Sequence, residues 1–310
     1  MAKIFVSESI VINEKVEDIY AYLREFKNWP EWSPWLLAEP DYQLDFGNNA
    51  YSWKGKFVGS GRMEIVKETP YRQIDFSLEF FKPWRSKADV SLLIEEHDGV
   101  AKVTWSMESK LPFFLFWMKR PMTQFISMDY QRGLKMLREL LEEGQIYSVL
   151  DFVGEQEIEG TRYIGIERHC AISAIETAMG EDFKKLMTWV EKADASVLPE
   201  DARKPFSIYQ KWDVNKSVVH YRVCYPLRHD ARVEVPYGFV MGERPSCHAY
   251  VIGHTGAYRH LGNAWAAGMM RARARLFKQS KSVMPFEKYV TLPEERGEKA
   301  AITLVCFPLK

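Results

Sequence analysis

The chain of 310 residues exceeds the roughly 100 to 200 residues of an ordinary domain, and its 46% hydrophobic and 27% charged residues are those of a folded protein, not a disordered one. Lys plus Arg equals Asp plus Glu at 42 each, and the balance holds on both sides of Ile146 at 19 against 22 and 23 against 20. Nucleic-acid affinity needs clustered positive charge, so this balance argues against direct nucleic-acid binding.

Lys3 to Ile12 reads as a strand. Met1 to Ile12 has no charged start followed by an apolar core, which argues against a signal peptide. Asn13 then suits a helix N-cap, with Glu14 and Glu17 in the first turn and Val16, Ile19, Tyr20 and Leu23 at helical spacing. Pro30 and Pro34 forbid a long helix in the segment Asn28 to Trp35, whose Trp29, Trp32 and Trp35 read as structural caps of an interior.

From Tyr42 to Lys110 alternating segments are broken by Gly47-Asn48-Asn49, by the glycines at 59 and 61, and by His97-Asp98-Gly99, the pattern of an antiparallel meander of six strands. Its inward positions include Trp53, Phe76, Trp105 and Met107. The longest apolar run, Leu111 to Met118, is interrupted by Pro112 and falls short of the roughly 20 residues of a membrane span. Beyond Pro112 an amphipathic helix runs to Glu143, with Gly144 as its C-cap.

The opening strand, the helix VEDIYAYL, the WPEWSPW segment, the meander and the closing helix resemble the START-related polyketide cyclase/dehydrase and lipid-transport superfamily (SRPBCC) over residues 3 to 143. The resemblance implies a helix-grip fold, a curved antiparallel sheet around a long C-terminal helix, with a deep hydrophobic cavity. Trp53, Phe76 and Trp105 are then candidate ligand contacts.

The second half carries an internal repeat. His220 to Arg228 (HYRVCYPLR) and Ile302 to Lys310 (ITLVCFPLK) match at an offset of 82 residues, and Phe206 to Tyr209 (FSIY) matches Phe286 to Tyr289 (FEKY) at about the same offset. Each copy reads strand, helix, strand, strand, over residues 160–228 and 247–310. The two helices are expected at Ile172 to Glu191 and at Tyr258 to Phe277. A pseudo-twofold pairing of such units leaves a groove between their helices, where Tyr209, Tyr221, Tyr258, Trp265, Glu287 and Tyr289 are the candidate ligand-binding residues. Tyr289, one pleat period from Glu287, shares its face of the strand.

This half resembles the GyrI-like effector-binding domain of bacterial transcription regulators, on His254-Thr255-Gly256-Ala257-Tyr258, Leu261, Trp265, Phe286 to Tyr289 and Cys306 to Leu309. The resemblance implies a cleft that takes hydrophobic, often cationic compounds on aromatic rings and an acidic group. Leu304 stands where that family commonly carries a glutamate, which leaves Glu287 as the acidic candidate.

The fold class expected is α+β, with residues 1–146 as the helix-grip domain and 147–310 as the duplicated domain. Arg271, Arg273, Arg275, Lys278 and Lys281 read as the solvated face of a helix. Cys170, Cys224, Cys247 and Cys306 are scattered, as buried thiols of a reducing compartment are, and the expected location is cytoplasmic. Neither helical His pairs nor paired cysteines point to a metal; His169, His229, His254 and His260 read as structural or solvent-facing, and no cofactor is expected. The leading function is binding of hydrophobic, cationic or aromatic small molecules in a cleft of each domain, as a carrier or sensor. An enzyme, either cyclase-like or a hydrolase using Glu287, and a protein-interaction module remain alternatives. A homodimer or protein partner is also open.

Overall fold

The computed structural model describes residues 2–111, 113–199 and 204–310. The chain divides into two compact units, Met1–Tyr147 and Ser148–Lys310. Pro112, the expected break before the long helix, lies outside the described residues. Among the described residues no helix is long and apolar enough to cross a membrane.

In the first unit β1 (Ala2–Ile12) is followed by α1 (Val16–Arg24), a 3-10 turn (Phe26–Asn28) and the single turn α2 (Trp29–Trp32). A meander of β2 (Gln43–Phe46), β3 (Ala50–Lys54), β4 (Ser60–Thr69), β5 (Gln73–Lys82), β6 (Ser86–His97) and β7 (Val100–Leu111) then leads to α3 (Lys119–Glu143). Strand order is β1-β7-β6-β5-β4-β3-β2, all pairs antiparallel, so the first strand lies beside the last. The tight β6–β7 turn has Asp98 and Gly99 in the left-handed region, as the His97-Asp98-Gly99 signal requires.

Along β7, Ala101, Val103, Trp105 and Met107 are buried while their neighbours are not, and α3 packs over this side with Tyr130, Leu134, Met136 and Leu137. Gly144, with φ of 73°, caps α3 and donates its amide to the Leu140 carbonyl. Asn13 does not cap α1. That place belongs to Lys15, whose side chain caps nothing, and the Asn13 amide instead donates to Glu142 on α3 at 2.7 Å.

The second unit is one eight-stranded sheet. It comprises β8 (Ser148–Ile158), β9 (Thr161–Ala171), β10 (Phe206–Asp213), β11 (Val218–Leu227), β12 (Val240–Arg244), β13 (Cys247–Gly256), β14 (Phe286–Thr291) and β15 (Ile302–Pro308), with α4 (Ile175–Val190) and α5 (Gly262–Arg273) after β9 and β13. The order β12-β9-β11-β10-β14-β15-β13-β8 reads the same from either end once the repeats are superposed. The pseudo-twofold passes between β10 and β14, where Ser207 pairs with Glu287. The α+β class, the helix-grip arrangement and the duplicated strand-helix-strand-strand unit are those expected from the sequence.

Two strands, β8 and β12, add to this pattern as the sheet's edges. Each precedes the first strand of one repeat but pairs with the equivalent strand of the other, β8 with β13 and β12 with β9. The second helix is shorter than expected: α5 ends at Arg273, and Arg275 takes a left-handed conformation with φ of 61°. Nor is the basic stretch a solvated helical face throughout. Arg271 is 3% exposed, its guanidinium 3.8 Å from the centre of the Phe152 ring on β8, where the ring face replaces lost hydration.

Gly133 on α3 tests how tightly the first unit is packed. A Cβ there would lie 2.9 Å from Trp105 Cζ3 and 3.3 Å from Pro34 Cδ. Helix propensity alone favours Gly133→Ala by about 1 kcal/mol. Overpacking against a trapped indole should reverse the sign, with a net loss of roughly 1–2 kcal/mol in urea unfolding. A gain in stability would mean that the Trp105 ring has room to move.

Candidate functional site

The face of the second sheet beneath α4 and α5 holds a carboxylate in an apolar setting. Alternation along β14 sends Phe286 and Lys288 away from the helices and Glu287 and Tyr289 towards them, and β10 does the same with Ser207 and Tyr209. Glu287 is 1% exposed. Trp265 Nε1 donates to its Oε1 at 2.6 Å, and the Tyr289 hydroxyl and Ser207 Oγ donate to its Oε2 at 2.7 and 3.0 Å. Tyr289 also bonds Ser207 Oγ at 3.2 Å, and Tyr209 belongs to the same network.

No ion pair reaches this carboxylate among the described residues. Burial pushes the Glu287 carboxyl above its usual range, and the bonds from Trp265, Tyr289, Ser207 and Tyr209 offset only part of that rise. Rings complete the surroundings. Trp265 meets Tyr209 edge-on at 4.8 Å and Phe307 at 5.3 Å, while Tyr289 contacts Phe183 of α4 at 5.3 Å and Tyr258 at 5.7 Å. Tyr258 is exposed, and Trp265 and Phe183 are half-buried.

Of the candidates read from the sequence, Glu287, Tyr289, Trp265, Tyr209 and Tyr258 are brought together here. Tyr221 is not in this group: its hydroxyl donates to Asp182 Oδ2 at 2.8 Å, and Asp182 pairs with Arg168 at 2.6 Å. Ser207, Phe183 and Met179, whose sulfur accepts from the Tyr209 hydroxyl at 3.7 Å, escaped the sequence reading. The repeat held the signal for two of them. Ser207 is the FSIY counterpart of Glu287, and Met179 follows Ala171 at the same distance as Trp265 follows Ala257. Leu304 lies in the cluster on the opposite face of the sheet, with Phe206 and Phe286, away from the carboxylate.

Trp53, Phe76 and Trp105 belong to the first unit, and all three turn inward. Phe76 and Trp105 are buried, and Trp53 packs half-buried at the margin. Trp105 stacks on Tyr130 at 3.9 Å and meets Trp29, Trp32 and Trp35 edge-on at 5.2 to 6.1 Å, so at this level rings, not open space, surround it. The Nε1 groups of Trp32 and Trp105 are buried donors with no hydrogen-bond partner. Trp29 Nε1 reaches the Leu23 carbonyl and Trp35 Nε1 reaches Asp129, which ties the tryptophan-rich segment to α1 and α3.

Residues 3–142 match the family model for polyketide cyclase / dehydrase and lipid transport. The match to this cyclase/dehydrase and lipid-transport family spans nearly the whole first unit and supports a small-molecule-binding role for it. No curated protein matches the chain in sequence. Among solved structures, the EcmrR C-terminal domain is similar with 16% identity and a TM-score of 0.41, over 53% of this chain and 96% of that one. EcmrR in its DNA complex has 15% identity and a TM-score of 0.42, over 64% and 72%. The Aha1 dimer from Colwellia psychrerythraea has 15% identity and a TM-score of 0.36, over 46% and 98%.

A second buried polar group lies where β8 meets β13. His254 Nε2 is 3.1 Å from Ser148 Oγ, to which Asn263 Nδ2 donates at 3.0 Å, and His254 Nδ1 is a buried atom without a partner. Burial, with His260 nearby, lowers the His254 imidazole to about 4. The folded protein therefore keeps this ring neutral at pH values where the unfolded chain, near 6.5, protonates it. Stability from this source is complete above about pH 6.5 and is lost as pH falls. The loss should be on the order of 2 kcal/mol between pH 6.5 and 4.5. Glu287, with its raised carboxyl, acts in the opposite sense, but its contribution is common to wild type and His254→Gln. The difference between their urea unfolding curves should shrink by that amount over this window; parallel pH profiles would refute the assignment.

Proposed function

We propose that the chain binds hydrophobic small molecules, with one site in each unit, and that the second unit favours lipophilic cations held at Glu287. The observation that carries the reading is a carboxylate withdrawn from water among tryptophan and tyrosine rings, with no cation among the described residues to balance it. A desolvated ammonium or phosphonium needs a counter-charge and ring faces, and both converge here. Without ligand the Trp265 N–H and the two tyrosines occupy the carboxylate. A ligand entering beside the partly exposed Tyr258 takes over the position of the Trp265 hydrogen bond. In the first unit the family match supports this reading.

Because the Glu287 carboxyl is raised, it is partly protonated in the range where an ordinary glutamate is fully ionised. A cation selects the ionised form, so its binding releases a proton and tightens as pH rises through this range. Titration with tetraphenylphosphonium, read by quenching of tryptophan fluorescence, should show this rise. Glu287→Gln should abolish the pH dependence and weaken the cation by about 5- to 150-fold, corresponding to 1–3 kcal/mol, while leaving neutral triphenylphosphine oxide within about twofold, the scale of a change without a lost charge pair. Equal affinity of wild type and variant for the cation would remove Glu287 from the site. Absence of saturable quenching by either compound would count against binding in the second unit altogether.

A further inference from the structure

The opposite face of the same sheet carries a second cluster of chemistry-bearing side chains. On β9 and β11 the residues facing α4 are Ile164, Ile166, Arg168, Val219, Tyr221 and Val223. Their neighbours face the other way. Register places His169 directly across from His220 and Glu167 directly across from Arg222. The two imidazoles lie face to face with centroids 3.7 Å apart and planes 20° apart. His220 Nε2 is 2.7 Å from Glu167 Oε1, and one ligand atom from each of Glu167, His169 and His220 can be chosen so that all lie within 4.8 Å of one another.

We propose that Glu167, His169 and His220 form a binding site for a divalent first-row transition metal, zinc in the first instance. Two imidazole nitrogens and one carboxylate oxygen are a ligand set that zinc accepts, with a fourth position left for water. The donor atoms lie within 4.8 Å of one another, and rotation of the stacked rings out of their parallel arrangement brings them to coordination distances of about 2.0–2.2 Å. The donors sit on adjacent strands of a paired sheet, so their backbone positions are fixed before any ion arrives. Arg222 supplies the supporting contact: its Nε donates to Glu167 Oε2 at 2.5 Å while its Nη1 donates to the Tyr163 hydroxyl at 2.9 Å, which fixes the carboxylate and leaves Oε1 to His220. His169 is exposed, so the site is open to an ion from solution.

A search for His or Cys pairs along a helix cannot find this cluster, since its members meet only when β9 and β11 pair. It is independent of the Glu287 site, because β9 and β11 present these side chains on the face away from α4. Cys170, next in sequence, points to the α4 side with its thiol raised by burial.

Zinc binding to the full chain, measured by calorimetry, tests the proposal. One equivalent should bind, and His169→Ala and His220→Ala should each weaken it by about tenfold or more, a scale set by the loss of groups that hold a metal. Both variants should keep the wild-type circular dichroism without metal, since neither histidine belongs to the core. Cobalt should give the visible bands of a nitrogen and oxygen site without a thiolate charge-transfer band. No saturable uptake, uptake unaffected by both variants, or a thiolate band would each overturn the proposal.

Discussion

The second unit is organised around a charge-bearing group that has been taken out of water. Glu287 stands next to the pseudo-twofold, directly across from Ser207. Without its four donors, a carboxyl at that depth would cost several kcal/mol to ionise. The repeat explains how the donors come to be there. Tyr209 and Tyr289 are equivalent positions, so one motif used twice delivers a phenol from each side of the dyad, and Trp265 adds the indole from the helix of the second copy. The copies differ at the positions that make the site: serine against glutamate on the strands, methionine against tryptophan on the helices. Duplication sets the frame, and divergence at Glu287 and Trp265 places a buried carboxylate and its indole donor on one side of the dyad.

The first unit solves a different problem. Four indoles, Trp29, Trp32, Trp35 and Trp105, meet Tyr130 and Phe76 behind the sheet. Large rings fill volume with few torsions to freeze, and their edge-to-face contacts add specificity beyond area. Trp29 and Trp35 have their N–H groups satisfied by Leu23 and Asp129, which anchors a proline-bounded segment that has little regular structure of its own. Trp32 and Trp105 do not, and these orphan donors separate this interior from a core optimised only for stability.

Much of this was legible in the sequence because period and punctuation are local. The meander was readable from two-residue alternation and from Asp98-Gly99, α3 from its apolar stripe and Gly144, and the duplicated unit from the Val-Cys-aromatic-Pro-Leu match. What escaped has non-local causes. In β8 only one side packs against anything, and Val149 and Val153 stay exposed, so its pattern is diluted. β12 has five residues, too few for a period to register. Arg271 looks solvated until Phe152, more than a hundred residues earlier, is placed beneath it. Asn13 has the right chemistry for a cap, but α1 starts at Val16 with Lys15 in the cap position, and the Asn13 backbone amide is taken by Glu142 of α3. At the candidate site, the alternation of Glu287 and Tyr289 was readable, whereas the partner of Tyr221 became visible only once α4 was in place over β11.

The exchanged edges make the duplication more than two modules side by side. Since β8 completes the far copy and β12 the near one, neither half of the repeat owns a finished sheet. During synthesis the outer edge of β9 stays open until Val240 to Arg244 emerges, and β8 stays unpaired until Cys247 to Gly256 emerges. Such long-range pairings raise the entropy to be overcome before native contacts accumulate. A single copy taken alone would leave the outer side of its first strand without the edge strand that pairs with it here. With both copies in one polypeptide, each edge strand is tethered to the copy it completes.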